Sequence, residues 1–80
     1  MQEDELLVVY SQARERFFVD LAAAKARLDG LLDRMRTNGI SLQDLAQLEG
    51  LHAEKHRLFT DFVHVEERFV SLLLQSRKGR

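Results

Sequence analysis

Cysteine, proline and tryptophan are all absent from this 80-residue chain, and each absence removes a class of answer. Without cysteine there is no disulfide framework, no zinc-thiolate site and no thiol nucleophile. Without proline, nothing in the chain breaks a helix by removing a backbone donor. Long apolar runs are missing as well. The longest, "LLVVY" at residues 6 to 10, falls far short of the roughly 20 residues that cross a bilayer. It follows "MQEDE" rather than a basic segment, so it does not read as a secretory leader.

Charge of one sign is lacking too. Twelve lysines and arginines stand against thirteen acids, for a formal net charge of −1, so no whole-chain field draws the protein to nucleic acid or to an anionic membrane. The sequence has no glycine-rich phosphate loop and no nucleophile elbow. The expectation is a soluble, cytoplasmic, non-catalytic protein without a cofactor. Its length implies one domain, and a chain this short buries only about 60% of its unfolded surface, so association is a natural source of added stability.

What the chain does have is helix formers: alanine, leucine, glutamate and arginine recur throughout, and only four glycines interrupt them. The one strong break is "RTNGISLQDL". Asn38-Gly39 signals a turn, with Gly39 suited to the left-handed position that ends a helix. Ser41 and Asp44 form a variant of the capping box that starts the next helix, and Ile40 and Leu45 take the positions of a hydrophobic staple. The spacing predicts a first helix over about 3–36, a turn over 37–41, a second helix over about 42–76 and a basic tail over 77–80, disordered from Lys78.

Upstream of the turn, Leu6, Tyr10, Ala13, Phe17, Leu21, Ala24, Leu28, Leu31 and Met35 advance in steps of three and four, the period of an α-helix. Downstream, Leu48, Leu51, Lys55, Leu58, Phe62, Val65, Phe69 and Leu72 form a heptad seam with one polar member. A tight turn makes the helices antiparallel, so facing residues have numbers of constant sum. The two seams agree on a sum near 79, which sets Leu31 against Leu48, Leu28 against Leu51, Ala24 against Lys55, Leu21 against Leu58, Phe17 against Phe62 and Tyr10 against Phe69. The fold class is therefore all-α, an antiparallel, coiled-coil-like two-helix hairpin. Lys55 reads as a register residue whose stem crosses Ala24 while its ammonium reaches water or Asp20.

The second helix is apolar over more of its circumference than one partner helix can cover. Leu7, Phe18 and Leu32 of the first helix, with Phe59, Phe62, Val63, Phe69, Val70 and Leu73 of the second, are the candidate partner or dimer interface. A surface of that kind is rarely left open. It predicts a homodimeric four-helix bundle or a groove for an amphipathic helix of another protein, and so an adaptor, an inhibitor or a small chaperone.

Two other constellations compete with that reading. Glu49, His52 and His56, within "LEGLHAEKH", lie within about 60° of one another on a helical wheel at 100° per residue and form a candidate metal set. The facing seam of the first helix offers no carboxylate to complete it, so no metal is expected, and the histidines read as the border of the apolar arc, with His64 turned to solvent. Arg16, Arg27 and Arg34 share one side of the first helix and form a candidate stripe for RNA or DNA. The acids Glu15, Asp20, Asp29 and Asp33 dilute it, whereas nucleic-acid affinity needs concentrated positive charge.

Overall fold

A computed structural model describes residues 2–78. Two α-helices account for nearly all of them: α1, Glu3–Asn38, and α2, Leu42–Lys78. They lie against each other as a hairpin measuring 62 × 16 × 12 Å. The radius of gyration is 18.2 Å, against about 12 Å for a compact domain of this length. A rod only two helices wide has little interior. Among the described residues, Leu6, Phe17, Ala24, Leu31 and Met35 are the buried apolar ones, and no large side chain is fully enclosed. No helix is long and apolar enough to cross a membrane among the described residues.

The turn is tighter than its sequence suggests. α1 continues through Asn38 because the Gly39 N–H still reaches the Met35 carbonyl, at 3.0 Å. Gly39 then reverses the chain with φ 83° and ψ 172°. That is the extended mirror region, which only glycine adopts freely, rather than the left-handed helical well expected of a helix end. α2 starts one residue after Ser41 through a reciprocal cap. The Asp44 N–H donates to Ser41 Oγ at 3.0 Å, and the Ser41 N–H donates to Asp44 Oδ2 at 3.1 Å. The staple contributes little, since Ile40 stays 69% exposed.

The far end also departs from the expected boundaries. Arg77 and Lys78 belong to α2 rather than to a tail; Gly79 and Arg80 lie outside the described residues. The helix persists because bases are favourable at a helix C-terminus and because Arg77 Nε pairs with Glu3 Oε2 of α1 at 2.8 Å.

The register matches the two seams. Tyr10 stacks on Phe69, and Phe17 on Phe62, each with ring centroids 4.4 Å apart. Interhelix polar contacts fall on nearly the same sum: Arg27 with Glu54, Arg34 with Asp44 and Gln47, and Glu3 with Arg77. The seam thus has an aliphatic half near the turn and an aromatic half near the termini. Phe62 and Phe69, named above among the interface candidates, are seam residues held by these stacks.

Candidate functional site: two unlike faces of the hairpin

Two packed helices leave two broad faces, one on each side of the seam, and here they differ in chemistry. On one face the flanking positions carry arginines and acids. Arg27 donates to Glu54 across the helices, and Arg34 reaches Asp44 Oδ1 at 3.1 Å and Gln47 Oε1 at 2.6 Å. Farther along, Arg16, Asp20 and Asp61 line a shallow groove, and Arg68 lines another with Val9 and Val65. Two of the three arginines of the candidate stripe are therefore engaged by the other helix, and Arg16 stands beside two carboxylates. Asp44, though charged, is buried. Its carboxyl is held below the usual carboxylate range, first by the Ser41 backbone N–H and further by the Arg34 guanidinium, with desolvation opposing both.

The opposite face is apolar. Leu7, Phe18 and Leu32 of α1 and Leu45, Phe59, Val63, Val70 and Leu74 of α2 are each 41 to 53% exposed. At 100° per residue they fall on one flank of each helix, so together they form a single surface beside the seam. Phe17 is its anchor from below, meeting both Phe18 and Phe59 edge-on at 5.3 Å between centroids. Leu45 and Leu74 belong to this surface although the heptad reading passed over them. Leu73, by contrast, is half-buried. The face has few cross-helix polar ties, and they cluster toward the termini: Tyr10 Oη donates to Glu66 Oε2 at 2.7 Å, which raises the Tyr10 pKa, and Glu3 meets Arg77.

Between the aromatic cluster and the turn, the apolar face opens into a groove of about 480 Å³ lined by Leu21, Ala24, Lys25, Leu28, Leu48, Leu51, His52, Lys55 and Phe59. Its origin is the mismatch at the middle of the seam. Ala24 is too short to fill the space opposite Lys55, and Lys55 carries its charge outward. Lys55 emerges on this face, whereas Asp20 lines the other one, so of the two destinations expected for its ammonium, water or Asp20, the exposed side chain takes water. Lys25 on the groove's rim is held by Asp29 at 2.8 Å.

The histidine motif is dispersed over exposed surface. His52 lines the groove, while Glu49, His56 and His64 are exposed outside it. Among the described residues no group of three or more histidines, aspartates or glutamates is placed to hold a metal ion. The motif's leucines behave differently: Leu48 and Leu51 are half-buried in the seam.

Comparison with protein-family models, with curated proteins and with solved structures finds no match.

Proposed function

We propose that this protein is a non-catalytic protein–protein interaction module that works through its apolar face and assembles as a homodimeric four-helix bundle. One observation carries the reading: eight large apolar side chains, each between 41 and 53% exposed, share one side of a two-helix rod. Water contact at that density is unfavourable by about 25 cal/mol for each Å² left uncovered. Among the described residues the same rod buries only five apolar ones, so its interior alone is a thin source of stability. Covering the face answers both problems at once. A second copy is the most economical cover, because a twofold axis pairs one patch with itself. An amphipathic helix of another protein satisfies the same physics, and adaptors, inhibitors and small chaperones are modules of that kind.

The opposite face supports no comparable reading. Arg27 and Arg34 are paired with the carboxylates of Glu54 and Asp44, which lowers the positive potential that nucleic acid requires.

The test is the molar mass in solution, by sedimentation or light scattering, for the native chain and for a Phe59→Glu, Val63→Glu variant. The native chain is expected at twice its 9.3 kDa monomer mass. The variant is expected at monomer mass, with reduced helicity and no binding to any partner that the native chain holds. Equal masses and equal binding for the two proteins reject the proposal.

A further inference from the structure

Resting on the homodimer reading, we infer that the two hairpins lie head to tail, turn against termini, about a twofold axis that crosses the apolar face near Phe59. Two face-to-face arrangements are geometrically open. If the long axes run the same way, α1 of one copy lies over α2 of the other, at equal heights. If they run opposite ways, α1 lies over α1 and α2 over α2, and facing residues have numbers adding to about 39 on α1 and about 118 on α2 for an axis at mid-rod.

The chemistry on the face separates the two. In the same-way arrangement the groove beside Ala24 opens onto its own copy. Lys25, His52 and Lys55 of both copies then crowd around an unfilled space, and the groove of about 480 Å³ is doubled. Like charges placed opposite one another oppose association, and an empty space loses packing contacts. In the opposite-way arrangement the sums set Phe18 over Leu21 of the second copy and Val63 over Lys55, so an aromatic ring and a branched side chain enter the groove. Leu7 meets Leu32 and Val70 meets Leu48, while Phe59 meets itself on the axis.

Charge follows the same pattern. His52 faces Glu66 of the second copy, and symmetry forms that pair twice. Glu66 Oε2 is taken by Tyr10, which leaves Oε1 to accept from the imidazole. The same symmetry also forms twice the like-charge pair of Arg14 over Lys25. Both are already engaged, Arg14 over the Phe18 ring at 5.2 Å and Lys25 with Asp29 at 2.8 Å. A face 62 by 16 Å also projects to about 1,000 Å², above the roughly 800 Å² per partner of a standard stable interface.

Since the chain has no cysteine, single substitutions place one spin label per copy. Thr37→Cys and Ala22→Cys are exposed sites off the apolar face. Head-to-tail packing separates the two Thr37→Cys labels by about 50 Å at 1.5 Å per residue. It keeps the Ala22→Cys labels within about 30 Å, a few helix spacings of 8–10 Å. Glu66→Lys is expected to weaken the dimer about tenfold, and adding His52→Glu to restore it. A dimer with Thr37→Cys labels within about 30 Å overturns the head-to-tail arrangement and leaves the interaction reading standing. A dimer with no response to Glu66→Lys, or with no rescue, overturns the contact across the apolar face. Monomer mass at every concentration overturns the homodimer itself.

Discussion

The arginine face and the apolar face are built on the same two helices and the same seam, yet only one of them is complete. On the arginine face the polar side chains find each other: Arg27 with Glu54, Arg34 with Asp44 and Gln47. On the apolar face the exposed atoms are mostly carbon, and carbon has no partner within a two-helix rod. The contrast teaches where a small helical protein keeps its unfinished business. A flank whose charges are matched internally is content in water, whereas a flank of phenylalanine, leucine and valine is stable only when covered. Between the two faces runs the seam, and it supplies the first way to break the comparison, because both faces depend on it.

Phe17 is the point where seam and apolar face meet. It is 8% exposed, stacks on Phe62 at 4.4 Å and touches Phe18 and Phe59 edge-on. Phe17→Ala removes those contacts, a loss of about 3–5 kcal/mol for a buried phenylalanine. That is enough to unfold a rod of this size or to leave it partly helical at 25 °C. Far-ultraviolet circular dichroism against temperature is the check, and a melting curve unchanged from the native one would show that the aromatic half of the seam contributes nothing.

Opposite in sign is the effect expected at two glycines of the arginine face. Gly30 and Gly50 lie in helix interiors and line one groove with Arg27, Arg34 and Gln47. A Cβ at either position would meet nothing within 4 Å. Glycine inside a helix is less favourable than alanine by about 1 kcal/mol, so the double change to alanine should add about 2 kcal/mol of stability, read as a higher denaturant midpoint. The dimer mass should not change, because the groove is on the covered face's far side. A loss of stability would mean that the hairpin needs those backbones bare.

Much of this was legible in the chain, and the reason is periodicity. Two apolar series with a common sum of residue numbers specify both the antiparallel pairing and its register, and the stacks of Tyr10 on Phe69 and Phe17 on Phe62 follow from it. The Ser41–Asp44 cap was legible because it is local. Direction across the seam was not. Whether Lys55 leaves toward Asp20 or away from it depends on the side of the seam at which each side chain emerges, and a list of seam positions carries no sign for that. The role of Asp44 was half-visible for the same reason. Its capping bond is local, but the Arg34 contact requires knowing how the last turns of α1 sit over the start of α2. Leu74 was not legible, and Leu45 was legible only as part of the staple, because a strict heptad count ignores residues beside the seam.

The turn itself is the next test, since it holds both faces in register. Ser41→Ala deletes the acceptor for the Asp44 N–H and should cost about 1 kcal/mol, as capping residues generally do. Acid should act at the same place. Asp44 has its carboxyl pKa lowered in the folded chain, chiefly by the Ser41 N–H, so the unfolded chain binds the proton more readily. The resulting stabilisation is fully present above the ordinary aspartate value of about 3.9 and is lost as pH falls through the lower folded value. Melting temperatures measured from pH 6 downward should therefore drop less steeply in Asp44→Asn than in the native protein.

The smallest effect expected is also the one that weighs the arginine face directly. The Arg27–Glu54 pair joins α1 to α2 with side chains 54% and 32% exposed. Pairs this accessible are screened by solvent and typically contribute only about 0.2–1 kcal/mol. A double-mutant cycle of Arg27→Ala and Glu54→Ala should return a coupling energy in that range, shrinking in 1 M salt, where the Debye length is only about 3 Å. The corresponding cycle across the apolar face, Phe18→Ala with Phe59→Ala, should be insensitive to salt, because dispersion and hydration carry no charge to screen. If the Arg27–Glu54 coupling proved larger and salt-independent, the arginine face would be a second buried surface, and a partner would have to be sought there too.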